Sequence, residues 1–123
     1  MLSKNAVVKF RKALEKGYSG TFTVTEHQKI TKPNHTTGFS DVVVLENQPC
    51  RLSFSSSPSV KDGNVPEIDQ TVKLFFAPEI TVNEGSKITV TQDGVTTEYK
   101  RSGTVAHYPT HNEIVLELFD KWG

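Results

Sequence analysis

The sequence predicts a small, mainly β domain: an antiparallel β-barrel or sandwich of about six to eight short strands with one N-terminal α-helix. Three observations carry this. The hydrophobic period changes from 3.6 to 2 after Gly20. Alternating runs then recur at short intervals, separated by clusters of Gly, Pro, Asn, Asp and Ser. No helical pattern lies between those runs, so the crossovers that a parallel sheet requires are missing. The chain of 123 residues is read as one domain, with a basic amphipathic helix over 1–17 and a β body over 18–119.

The helix begins at Ser3 or Asn5, either of which offers a side-chain oxygen to the unpaired amides of the first turn. Val7, Phe10 and Leu14 form one apolar stripe, about two turns long. Lys16 suits the negative end of the helix dipole, and Gly17 is a candidate left-handed stop. A helix this short is marginal in water alone, so its stripe is expected to dock on the body or on a neighbouring subunit.

Thr21–Thr25 alternates β-branched and aromatic residues and reads as the first strand. Lys32–Gly38 is a turn-rich loop. Val42–Leu45 and Cys50–Phe54 read as two strands broken by Glu46-Asn47-Gln48-Pro49. Ser55–Asp69 has no periodicity and is read as a long mobile loop. Val72, Leu74 and Phe76 alternate again, followed by Ile80 and Val82. Ile88 and Val90 lead into Asp93-Gly94, the strongest hairpin signal in the chain, and Val95, Thr97 and Tyr99 return from it. Gly103–His107 is a short strand. Glu113–Phe119 closes the body, with Ile114, Leu116 and Leu118 on one face. Phe75 and Phe76 are adjacent in a strand and must point to opposite faces, so one of them needs a cover outside the core. Trp122 raises the same question and is a candidate interface residue.

Composition narrows the function. Fourteen basic residues balance fourteen acidic ones, which disfavours a chain whose main task is gripping nucleic acid by its phosphates. The balance hides an asymmetry: 1–17 carries five basic residues against Glu15 alone, leaving nine basic against thirteen acidic elsewhere. No apolar run reaches the roughly 20 residues of a membrane helix, and Lys4, Lys9, Arg11 and Lys12 interrupt any signal-peptide core. No membrane partner is expected. Cys50 is the single cysteine, so neither an internal disulfide nor a thiolate-rich zinc site can form.

Catalytic and metal signals are weak. His107 and His111 have the spacing of a helical metal pair, but Pro109 breaks the helix that would align them. Cys50 sits in an alternating strand, where cysteine behaves as a small hydrophobe. Ser53 and Ser55–Ser57 lack a nucleophile elbow. Gly17-Tyr18-Ser19-Gly20 lacks the strand–loop–helix setting of a phosphate loop. No enzyme activity and no cofactor are expected. Phe22, Phe54, Phe75, Phe76, Tyr99 and Tyr108 could stack bases in an OB- or SH3-like module, but most fall in phase with aliphatic core positions.

One set of anchors is familiar in combination. Gly38 lies in a loop, Pro49-Cys50-Arg51-Leu52-Ser53 on a strand, and a variable loop precedes Val72-Lys73-Leu74-Phe75-Phe76. Ile80, Val82 and Gly85 follow, then Tyr99, Gly103 and His111-Asn112-Glu113-Ile114 before a last strand. Over roughly 18–118 this order resembles the head-closure (stopper, head–tail connector) proteins of tailed bacteriophages and prophage elements. The resemblance implies a small β-barrel that assembles as a homo-oligomeric ring between portal or adaptor proteins and tail proteins. DNA passes it without sequence specificity. It implies the host bacterial cytoplasm during assembly, and afterwards the head–tail junction of the virion. The element matching a channel plug is 55–69, with Ser55, Ser57, Lys61, Asp62, Gly63, Asn64, Glu67 and Asp69 as plug candidates. Lys9, Arg11, Lys12, Phe75 and Trp122 are the subunit-interface candidates. A tail-completion or terminator protein, and a monomeric OB/SH3-like module for peptide or single-stranded nucleic acid, are the alternatives.

Overall fold

The computed structural model describes residues 3–61 and 65–122, with side chains outside 57–69. One helix, α1 (Lys4–Glu15), precedes seven antiparallel strands: β1 (Gly20–Thr31), β2 (Thr37–Lys61), β3 (Val65–Phe76), β4 (Lys87–Gln92), β5 (Val95–Arg101), β6 (Ala106–His107) and β7 (Asn112–Leu118). The strands follow the order β3-β2-β1-β4-β5-β7-β6, and β3 also pairs with β7. Six strands therefore close on one another through hydrogen bonds, which removes the edges an open sheet would expose.

The core fills this closed sheet. Phe22, Val24, Cys50, Leu52, Leu74, Phe76, Ile88, Val90, Tyr99, Ile114 and Leu116 form it, joined by Val82. These are the alternate positions of their strands, so the period of two turns directly into an inside and an outside. Phe22 packs on Phe76 with ring centroids 5.3 Å apart and planes tilted by 59°. At Gly20 the sheet closes so tightly that a Cβ would lie 2.9 Å from the Thr91 carbonyl oxygen. Just beyond, Gln92 takes the place of a missing strand. Its Oε1 accepts from the Leu52 amide at 2.8 Å, and its Nε2 donates to the Leu52 carbonyl at 3.3 Å. The Asp93-Gly94 turn has φ of 53° and 78°, the left-handed pair expected of a tight hairpin.

Several expectations need correction. β2 is one strand of 25 residues, not two. The proposed break at Glu46–Pro49 is a bulge: Phe22 faces Gln48 but Val24 faces Leu45, and Asn47 has a φ of 48°. Pro49 is tolerated because β3 begins to pair only at Cys50, so β2 has a neighbour on one side there. The segment read as a mobile loop, 55–69, is largely a β-hairpin. Ser55 pairs with Thr71, Ser57 with Asp69, Ser59 with Glu67 and Lys61 with Val65. Leu118 is 67% exposed and does not share the buried face of Ile114 and Leu116. Gly17 is not the left-handed stop; the helix is closed by Lys16 in a right-handed conformation.

Two β ribbons leave the closed sheet. Past Thr25, β1 loses β4 as a partner and continues with β2 alone to Thr31. Before Val72, β3 pairs with β2 alone, and β7 joins it only from Val72 to Phe76. The closed sheet, the ribbons and α1 are thus three kinds of surface on one small chain.

Candidate functional site

Helix α1 is held by its cap and by one long-range ion pair. The Ser3 side chain accepts from the Ala6 amide at 3.2 Å. Arg11 donates to Glu79 and, at 3.3 Å, to Glu15 one turn on. A cleft of about 270 Å³ lies beneath, lined by Arg11, Glu15, Tyr18, Gln48, Pro49, Ala77, Glu79 and Ile80. The Tyr18 hydroxyl is buried there without a partner among the described residues, and its loss of solvent raises its pKa. Of the interface candidates, Arg11 is therefore committed within its own chain. Lys9 and Lys12 are exposed and have no ion-pair partner among the described residues. The expected apolar stripe is only partly covered within the chain: no α1 residue is buried, Val7 is half-buried, Phe10 is 55% exposed and Leu14 38%.

The Arg11 hydrogen bond holds the Glu79 carboxyl below its ordinary pKa, and Glu79 in turn raises that of Arg11. A lowered carboxylate stabilises the docked helix above the ordinary carboxylate pKa, and that contribution disappears as pH falls through the lowered value. Acidification below the usual carboxylate range should therefore loosen α1 while the closed sheet persists. Both partners are solvent-accessible, so the pair is worth at most about 1 kcal/mol. Amide chemical shifts of α1 followed against pH should move at acid pH, and Glu79→Gln should produce the acid-state shifts at neutral pH. Identical α1 shifts in parent and variant would refute the tether.

Phe75 and Trp122 are also covered within the chain. Phe75 is half-buried on the outer face, its ring 5.6 Å from that of His111. Trp122 stacks on His27 at 5.0 Å, meets Phe119 edge-on, and has Lys87 Nζ 5.7 Å from its ring centre. Phe39 covers His27 from 4.7 Å, and His27 Nδ1 lies 3.0 Å from Asp41 Oδ1. This stack ties the C-terminal residues to the root of the β1–β2 ribbon. Beside it is a cleft of about 300 Å³ lined by Glu26, His27, Asn83, Glu84, Gly85, Ser86 and Trp122. Glu26 accepts there from Asn83 Nδ2 at 2.9 Å.

The plug candidates fall on one hairpin. Ser55 is exposed; Ser57, Lys61, Glu67 and Asp69 occupy paired backbone positions, and Asp62, Gly63 and Asn64 lie outside the described residues. Of the aromatics weighed for base stacking, Phe22, Phe76 and Tyr99 are core, whereas Phe54 and Tyr108 are exposed. Phe54 lines an apolar cleft of about 220 Å³ with Leu52, Val95 and Tyr99.

The histidines serve as clamps. His107 Nδ1 is hydrogen-bonded to Asn112 Oδ1. His111 bridges Thr110 Oγ1, 2.9 Å away, and Glu113 Oε2, 2.7 Å away, and stacks on Tyr108. A hydroxyl, an imidazole and a carboxylate in a row resemble a catalytic relay, but here all three come from within one four-residue stretch and Thr110 is itself buried. Among the described residues no three His, Cys, Asp or Glu side chains form a metal cluster. Cys50 is fully buried, and burial pushes its thiol pKa up to about 12. A thiol reagent at neutral pH should therefore label the folded protein only as fast as the closed sheet opens. Labelling should speed up with urea in step with unfolding; fast labelling in native buffer would contradict the burial of Cys50.

These surfaces define the class: a small mainly β protein with a closed sheet, two projecting ribbons and a peripheral amphipathic helix. Among the described residues no helix is long and apolar enough to cross a membrane. No family model matches the chain, and no curated protein does. Among solved structures, the phage-like element PBSX protein xkdH of Bacillus subtilis is similar, with a TM-score of 0.46 and 9% identity over 80% of this chain and 90% of that one.

Proposed function

We propose that this chain is a structural protein of the head–tail joint of a tailed bacteriophage or prophage element. Identical copies form a ring that closes the portal channel after DNA packaging and docks the tail. The resemblance in the order of sequence anchors suggests this role, and one structural observation carries it. The closed sheet completes its own core, yet the chain also projects two ribbons and a helix, and among the described residues the helix and the β1–β2 ribbon expose Val8, Phe10, Ile30 and Phe39. Two-stranded ribbons are marginal alone in water, so surfaces of this kind are suited to burial in an assembly. In this reading the hairpin of β2 and β3 beyond Phe54 reaches into the channel as the plug. The partners are portal or adaptor proteins on one side and tail proteins on the other, with DNA passing unread. The chain works by contact and not by catalysis, in the host cytoplasm during assembly and afterwards at the virion junction.

The test is deletion of the gene from its phage or prophage, followed by electron microscopy of the lysate and an assay of packaged DNA. Empty or leaking heads beside free, normal tails are expected. Stable, filled heads with aberrant tails would move the protein to tail completion. Normal infectious particles would overturn the structural role and leave a small binding module in its place.

A further inference from the structure

Helix α1 has no buried residue, and it presents Val8, Phe10 and Leu14 at exposures of 51%, 55% and 38%. Val8 shares one face of the helix with the exposed Lys12, one turn on, and with Lys9 beside it, whereas Phe10 and Leu14 lie on the opposite face. A short amphipathic helix displaying its apolar residues in this way is incomplete until something covers it. A cover for the basic face must accept Val8 and be anionic enough to receive Lys9 and Lys12.

The cleft beside Trp122 fits both demands, whereas its neighbour of about 450 Å³ shares Glu84 but also holds Arg101. The cleft beside Trp122 pairs the indole with two carboxylates, Glu26 and Glu84. Glu84 is exposed and has no ion-pair partner among the described residues; Glu26 is held in place by Asn83. Lys87, near the indole, is drawn off by Glu98 at 3.2 Å and by the Phe119 and Trp122 rings. Asp41, bonded to His27, adds a further carboxylate at the edge. The cleft shares no lining residue with the one beneath α1. Pro49 under the helix pairs with Thr21, and Glu26 lies five residues further along β1, a separation of roughly 16 Å at the rise of a strand.

We infer that α1 of one copy docks into the Glu26–Glu84–Trp122 cleft of a second copy, with Val8 toward the indole and Lys9 and Lys12, on the same helix face, toward the carboxylates. The inference rests on the self-assembly reading above and names the contact that drives it. The two patches are complementary, lie apart on the same chain and differ from one another. Such a contact is heterologous, and when repeated it builds a ring or a filament and not an isolated dimer. The charge split of the sequence follows from it: a basic helix on an acidic body is what head-to-tail attraction between identical chains requires.

Charge exchange tests this with the full chain. One variant carries Lys9→Glu and Lys12→Glu; a second carries Glu26→Lys and Glu84→Lys. Glu84→Lys alone serves as the milder form, since Glu84 makes no internal bond among the described residues. Circular dichroism establishes that each variant folds, and sedimentation velocity with chemical cross-linking reads association. The expected result is that the parent associates, each variant alone associates at least about tenfold more weakly, and an equal mixture of the two regains the parent's behaviour. Regain follows because each contact in the mixture again joins unlike charges. Variants that associate as the parent does would overturn this contact while leaving self-assembly intact. A mixture that stays apart would overturn the pairing of these two patches. A parent that remains monomeric at every concentration and yields no cross-link would remove the self-assembly reading, and this contact with it.

Discussion

Phe76→Ala is expected to cost about 3–5 kcal/mol of folding stability, a large part of the roughly 5–15 kcal/mol of a typical domain. Phe76 is fully buried and packs against Phe22 at the centre of the closed sheet. Its backbone is flanked on both sides, by Cys50 on β2 and by Asn112 on β7. The surrounding strands cannot collapse into the cavity, because each is already fixed by ladders on two sides. The adjacent residue supplies the control. Phe75 is half-buried on the outer face against His111, so Phe75→Ala should cost only about 1 kcal/mol. Urea titrations of the parent and both variants decide it. Equal losses at the two positions would show that the assignment of inside and outside on β3 is wrong.

That assignment was legible in the sequence, and the reason is physical. Val72, Leu74 and Phe76, and Ile88 and Val90, lie on strands with a dry side and a wet side, so burial imprints a period of two on the residues. Asp93-Gly94 was legible because its backbone needs two positive φ angles in succession. The ribbons left no such imprint. Beyond Phe54, β2 and β3 pair with each other outside the closed sheet, and backbone hydrogen bonds place no demand on hydrophobic order. An aperiodic run such as Ser55–Ser57 therefore looked like a loop. At Asn47 the bulge shifted the phase of β2, which split one strand into two on paper.

The candidate sites were legible only in their local half. Five basic residues crowd the helix, so its charge could be read, but the partner that fixes Arg11 is Glu79, 68 residues away. Nothing near Glu79 in the sequence announces the contact. Likewise Trp122 stood out as the single tryptophan, while its seat on His27 depends on how far β1 runs past Thr25. Glu26, Glu84 and Asn83 meet Trp122 only after the closed sheet has brought the turn before β4 against β1. Charge and aromaticity are properties of residues; complementarity is a property of the fold.

Asn112→Leu should lower stability by about 2–4 kcal/mol, although it replaces one buried side chain with another of similar size. Asn112 is 3% exposed at the start of β7. Its Nδ2 donates to the Ile80 carbonyl at 3.0 Å and points to the Pro78 carbonyl at 3.3 Å, and its Oδ1 pairs with His107. The segment between β3 and β4 has no ladder of its own, so side chains must satisfy its carbonyls. Arg101 does the same from β5, with Nη1 donating to the Val82 carbonyl at 2.9 Å. Leucine would leave two acceptors short of a donor in a partly buried place, a cost that its greater hydrophobicity does not repay. His107→Ala removes only one bond at an exposed residue and should cost no more than about 1 kcal/mol. Thermal melts of the two variants separate these cases, and an Asn112→Leu protein as stable as the parent would show that the clamp carries no weight. The same clamp reaches the surface. Asn83 and Glu84 follow directly on the segment that Asn112 and Arg101 hold, so the position of the acidic cleft depends on a side-chain amide buried on another strand. Under the docking proposed above, a variant loosened at Asn112 should therefore lose association as well as stability, at temperatures where the closed sheet remains folded.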